Sequence, residues 1–259
     1  MSAQIEIPDV FPAAGDVSGK RVVITGAGRG LGAVLAHAFS AAGASVALVA
    51  RTERELKSVA AELAGPSLVL SGDVTEEDFN EAVADACVGE WGGCDVWVAN
   101  AGISPVVAGP RETDAGVWRR VLDVNMTGAF LGARAAARVM ETGGRLIFTG
   151  SVLGERPRKG LSAYSASKAG LAALAKGLAL DLAPAGITVN VVAPGWFDSP
   201  LAQGWKQTPH LSDAITGHTA LRRWGAPGDL AGAYLFLASD AASFVTGAVL
   251  SVDGGYLLV

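Results

Sequence analysis

Short, unbroken runs of Val, Ile, Leu and Ala recur along the chain at 21–25, 45–50, 68–70, 95–99, 145–150, 188–193 and 248–252. They lack polar alternation, as parallel strands covered on both faces do. Between them, residues 31–42, 53–63, 76–90, 118–140, 163–182 and 229–237 carry apolar positions at helical spacing. Regular alternation of strand and helix predicts an α/β fold: a single domain, a doubly wound parallel sheet of the Rossmann type with about seven strands, and helices on both faces. Residues 1–18, with Pro8 and Pro12, read as an N-terminal extension, leaving 19–259 as the domain. The rhythm fails at about 196–224, and loops of that length usually serve as lids.

Composition narrows the partners. Half of the 259 residues are apolar, enough for a large core, and 25 acidic residues against 20 basic ones give a formal charge of -5. A nucleic-acid binder would show a basic face, so none is expected as a partner. Residues 1–19 carry Glu6, Asp9 and Asp16 and do not read as a signal peptide. Residues 31–50 have no Asp, Glu, Lys or Arg and are long enough to cross a bilayer, but Ser40, Gly43 and Ser45 divide them into a helix and a strand. No membrane partner is therefore expected. Cys87 and Cys94 match neither a redox nor a zinc spacing, and they read as buried thiols in a reduced, cytoplasmic compartment. His210 and His218 read as surface or lid residues, and no metal site is expected.

The first strand runs into Thr25-Gly26-Ala27-Gly28-Arg29-Gly30-Leu31-Gly32 and then a helix. A glycine-rich turn there lets the backbone approach a pyrophosphate, while the helix start supplies free N–H groups and a positive dipole end. The domain therefore reads as dinucleotide-binding. A carboxylate at the end of the second strand would hold the ribose 2′-hydroxyl of NAD, whereas arginine suits a 2′-phosphate. Here Ala50 is followed by Arg51 and Thr52, and Arg29 lies in the turn, so NADP(H) is the expected cofactor and NAD(H) the alternative. Glu53 or Glu55 is placed to neutralise Arg51.

Further along stand Asp73-Val74, Asn100-Ala101-Gly102, Asn125, Ser151, Tyr164-x-x-x-Lys168 and Pro194-Gly195. Each is weak alone, but in this order and spacing, over residues 18–256, the chain resembles the short-chain dehydrogenase/reductases in their non-extended branch. Tyr164 and Lys168 share a helix face, and a neighbouring ammonium, with the oxidised nicotinamide, is expected to favour the phenolate of Tyr164. The resemblance implies that Tyr164 is the general acid or base and that Ser151 steadies the substrate oxygen. It further implies that Lys168 binds the nicotinamide ribose and that Asn125 holds a water of a proton relay. Hydride would pass on the pro-S face of the nicotinamide. Gly26, Gly30, Leu31 and Gly32 would hold the pyrophosphate, and Asp73 and Val74 the adenine. Asn100, Ala101, Gly102, Pro194, Gly195, Phe197 and Ser199 would line the remainder. Ala99 departs from the family's doubled Asn, and Ser199 takes the place of a common Thr.

The substrate is less legible. Leu153, Trp196 and Trp205 are the expected substrate wall, with Phe197, His210, Ile103 and Val106 nearby, although the same residues suit a small core within the lid. The run Arg156-Pro157-Arg158-Lys159 reads either as a receiver for a carboxylate or as a solvated face. Glu141-Thr142 and Pro184-Ala185-Gly186 replace the arginines with which family members dock carrier proteins. The expected reaction is hydride transfer with a small to medium ketone or secondary alcohol. A sugar-acid or polyol dehydrogenase, with NAD as an open cofactor choice, and a non-catalytic cofactor-binding regulator are the alternatives. The resemblance also implies a homotetramer, for which Ala133, Ala135, Ala136, Ala172, Ala173 and the apolar residues 256–259 offer packing surface.

Overall fold

The computed structural model describes residues 13–259, so most of the expected N-terminal extension lies outside the described residues. Val17, counted with that extension, is fully buried in the core. Seven strands form one parallel sheet: β1 (Arg21–Thr25), β2 (Ser45–Ala50), β3 (Ser67–Ser71), β4 (Val96–Ala99), β5 (Arg145–Thr149), β6 (Thr188–Pro194) and β7 (Val249–Val252). Their spatial order is β3-β2-β1-β4-β5-β6-β7. Successive β1 residues face opposite sides. Val22 and Ile24 pack with α1 (Gly30–Ala41), α2 (Glu53–Ala60) and a later helix at Pro227–Ala238, while Val23 packs on the other side. That second layer holds α3 (Glu77–Trp91), α4 (Ala115–Leu122), α5 (Gly128–Val139) and α6 (Ser162–Leu182). Cys87 on α3 and Cys94 before β4 are free and buried in this layer, and burial pushes the Cys87 thiol up to about 12 and that of Cys94 well above its usual value.

Two departures from the expected elements matter. The helix expected over 118–140 is two helices, α4 and α5, joined by a π-helical turn at Asp123–Thr127. The N–H of Gly128 reaches back five residues to Asp123, and such a turn rotates side chains out of the α register. Residues 196–224 also contain short helices, α7 (Gln203–Lys206) and α8 (Pro209–Gly217), before α9 (Pro227–Ala238). Pro209 opens α8 at a position where its missing N–H costs no helical bond. Strand order reverses at β1, which lies between β2 and β4, and the crevice beyond the carboxyl ends of these strands is where such sheets receive ligands.

Candidate active site

A cavity of about 660 Å³ opens along those carboxyl ends. At one end lies the glycine turn. Gly26 and Gly30 have φ +71° and +60°, conformations that L side chains rarely adopt. A Cβ on Gly32 would stand 2.2 Å from the Gly26 carbonyl oxygen, so the first turn of α1 can press against the turn only without a side chain. This bare backbone at a helix start fits a pyrophosphate. Gly26, Arg29, Gly30, Leu31, Gly32, Arg51, Thr52, Asp73, Val74, Asn100, Ala101, Gly102, Pro194, Gly195, Phe197 and Ser199 all line the same cavity. Arg29 and Arg51 are exposed and make no ion pair among the described residues, while Glu53 pairs with Lys57 at 2.8 Å instead of neutralising Arg51.

Local hydrogen bonds fix the middle of the cavity. Thr25 Oγ1 accepts from the backbone N–H groups of Asn100 and Ala101, each at 3.0 Å, tying the end of β1 to the loop after β4. Asp73 accepts from Thr75 through one oxygen and from Arg120 Nη2 through the other at 2.9 Å. Although burial opposes ionisation, these bonds hold the Asp73 carboxyl down at about 2. Glu55, expected beside Arg51, also lines the cavity, as does Arg120, which was not anticipated. Arg120 lies on α4, shortly before Asn125 but part of no motif, and only its partnership with Asp73 marks it.

Ser151, Tyr164 and Lys168 line the cavity together. Ser151 follows β5 and caps a short 3₁₀ turn, its Oγ accepting from the Leu153 N–H at 3.1 Å. Tyr164 and Lys168 stand one turn apart on α6, with Nζ 5.7 Å from the phenol ring centroid. Lys168 is buried, donates to the Thr149 carbonyl at 2.7 Å, and has its pKa pulled down by burial to about 8. The expected lowering of the Tyr164 pKa is not what the protein alone produces: burial pushes it up, and the Ser151 hydroxyl only partly opposes this. The reason is the phenol's own desolvation, which penalises the phenolate by more than the neighbouring groups return.

Asn125 does not line the cavity. The π-helical turn sends it inward, where Oδ1 accepts from the Ile103 N–H at 2.8 Å and Nδ2 donates to the Ile103 carbonyl and to Ser167 Oγ, both at 3.0 Å. The side chain thus braces the loop after β4 against α6.

Leu153, Trp196 and Trp205 line the cavity and also pack in a small core with Leu161, Ile215 and Tyr256. His210 and Val106 stand outside: His210 is exposed, and Val106 faces a separate shallow depression. Within the basic run, Arg156 donates to the carbonyls of Tyr256 and Val259. Arg158 instead lies over the indoles of Trp196 and Trp205, with its guanidinium carbon 5.4 and 5.2 Å from their ring centroids. Among the described residues no cluster of His, Cys, Asp or Glu could hold a metal ion, and no helix is long and apolar enough to cross a membrane.

A family model described as enoyl-(acyl carrier protein) reductase matches residues 26–257. The cis-4-hydroxycyclohexanecarboxylate dehydrogenase of Sinomonas cyclohexanicum is 39% identical over 250 residues, 95% of this chain and 100% of the relative. The 3beta-hydroxysteroid dehydrogenase 1 of Eggerthella lenta is 40% identical over 253 residues, 94% of this chain and 95% of the relative. Among solved structures, a gluconate 5-dehydrogenase from Burkholderia cenocepacia, in complex with NADP and tartrate, superposes with a TM-score of 0.89 at 33% identity, covering 95% of this chain and 98% of the other.

Proposed function

The chain belongs to the short-chain dehydrogenase/reductase family and is an oxidoreductase acting on alcohol and ketone groups, and from that premise we propose that it moves hydride between NADP(H) and a small to medium ketone or secondary alcohol, with Tyr164 handling the proton. The observation that carries this reading is the convergence of Ser151, Tyr164 and Lys168 on the same cavity as the glycine turn. The bound nicotinamide supplies hydride in reduction and accepts it in oxidation.

The chain's own residues do the rest. Gly26, Gly30, Leu31 and Gly32 hold the pyrophosphate with backbone N–H groups, and Arg29, Arg51 and Thr52 receive the 2′-phosphate. Asp73 and Val74 flank the adenine. Asn100, Ala101, Gly102, Pro194, Gly195, Phe197 and Ser199 line the nicotinamide half. The Tyr164 hydroxyl gives its proton to the carbonyl oxygen as a ketone is reduced, and takes it back in oxidation; a phenol held protonated by burial suits the first task. Ser151 hydrogen-bonds that oxygen as charge develops on it. Lys168 binds the nicotinamide ribose and restores the phenol proton. Asn125 braces the Ile103 loop against α6 and, in this reading, holds a water of the proton relay behind Lys168. Residues 196–224 form the lid, and Leu153, Trp196 and Trp205 form its substrate wall.

The test is oxidation of NADPH, with NADH in parallel, over a panel of cyclic ketones, diketones and keto-sugar acids. Turnover with NADPH well above NADH is expected. Tyr164→Phe should lower kcat by about 10²–10⁴-fold with NADPH binding unchanged. Undiminished turnover in that variant overturns the role of Tyr164.

A further inference from the structure

The order of the strands gives the cavity two ends. Ser151 follows β5, whereas Asp73 follows β3, the edge strand on the other side of the glycine turn. Asp73, Val74, Arg120 and Val124 line this second end. Its backbone is fixed from two sides. Asn80 Nδ2 donates to the Val74 carbonyl at 2.9 Å, and a Cβ on Gly128 would stand 2.9 Å from Val74 Cγ2, so the start of α5 meets Val74 closely. Val74 and Val124 are buried and give this end an apolar surface.

The polar groups beside that surface form a pair. Asp73 Oδ1 accepts from both the N–H and the hydroxyl of Thr75, at 3.0 and 2.9 Å, whereas Oδ2 accepts only from Arg120 Nη2, at 2.9 Å. An ionised carboxylate oxygen has about two acceptor positions, so Oδ2 keeps one open. Arg120 is half-exposed, and its remaining N–H groups have no partner among the described residues. This end of the cavity therefore offers one acceptor and neighbouring donors next to apolar side chains.

Building on the dinucleotide reading above, we propose that Arg120 is a specificity-determining residue for the cofactor's base, reading the edge of adenine together with Asp73. The exocyclic amine donates to Asp73 Oδ2, and Arg120 donates to a ring nitrogen next to that amine. This pairing matches a 6-aminopurine and opposes a 6-oxopurine, which turns an oxygen toward the carboxylate. The ion pair also keeps the partly exposed Asp73 from turning into solvent, so Arg120 positions the acceptor as well as supplying the donor. Neither task enters hydride transfer.

Titration calorimetry on the native protein compares NADP with its 6-oxo analogue, in which hypoxanthine replaces adenine, and NAD with its own 6-oxo analogue. Whichever dinucleotide binds better should exceed its analogue by at least about tenfold, the worth of one well-made paired contact to a base. Arg120→Met should weaken the adenine dinucleotide by about tenfold and its analogue by less than about threefold, so that the preference collapses. Arg120→Lys, which keeps a charge near Asp73 but not the planar fork, should retain part of it. Arg119→Met alters an exposed neighbour outside the cavity and should leave the preference intact. In turnover, Arg120→Met should raise KM for the reduced cofactor while kcat stays within about twofold. Equal binding of the adenine dinucleotide and its analogue by the native protein overturns the proposal. So does an Arg120→Met variant that weakens both alike, the mark of a purely structural role. Selective binding of the adenine dinucleotide, lost in Arg120→Met, with no ketone turned over, sinks the hydride-transfer reading and leaves the base reading standing; binding of no dinucleotide removes both.

Discussion

At the scale of single residues, burial sets the chemistry. Lys168 is pulled from 10.5 down to about 8, a penalty of about 3 kcal/mol against its charged form. Below about pH 8 both folded and unfolded chains carry the proton and the penalty is constant. Between about pH 8 and 10 the unfolded lysine still binds a proton that the folded one has released, so this group makes stability rise with pH. The buried thiols and Tyr164 act in the opposite sense, because their unfolded forms ionise first. Urea unfolding of the native protein and of Lys168→Met at pH 7.5 and 9.5 isolates the lysine. The native protein should gain relative to the variant at the higher pH, and parallel behaviour would contradict the assignment. Arg51 poses a simpler electrostatic question, because it is exposed at the cavity and has no ion pair among the described residues. Arg51→Asp should weaken NADPH relative to NADH by about 10- to 100-fold in kcat/KM, the worth of one charge-assisted contact.

At the scale of elements, the glycine turn and α1 act as one unit. Gly32→Ala drives a Cβ into the Gly26 carbonyl, so the helix start must move away from the strand end. Cofactor affinity measured by titration calorimetry should fall more than tenfold, with about 1–3 kcal/mol of stability lost. This unit was legible in the sequence because its glycines stand where a strand pattern gives way to a helix pattern. The π-helical turn was not, because one extra residue inside a long apolar periodicity hardly changes that periodicity. Asn125 was found only through the family resemblance, and its bracing of Ile103 and Ser167 needs the rotation that the turn supplies. Arg120 was invisible for another reason: it reaches the cavity from a helix surface whose sequence resembles any solvated face. Trp196 and Trp205 could be named as a wall or as a small core, and only the packing shows that these members of the core also line the cavity.

At the scale of the whole molecule, some of the surface expected between subunits is already used within one chain. Ala133, Ala135 and Ala136 are buried in the second helical layer, and Tyr256 is buried beside Trp196. What remains exposed and apolar includes Phe130 on α5, Leu180 on α6, Phe244 before β7, Val249 on β7 and Leu258 near the chain end. β7 is also the last strand of the sheet, with one edge unpaired in the single chain. We expect four copies joined through these surfaces, so light scattering coupled to size exclusion should give four times 26.2 kDa; a monomer peak would refute it. The two cysteines behave differently from any surface feature. Both lie sealed in the layer between sheet and helices, in the protonated form that alkylating reagents attack poorly. They can react only when that layer opens. Their modification rate is therefore a clock for unfolding, and its slowing when a ligand is added reads the coupling between the occupied cavity and the far interior of the same layer.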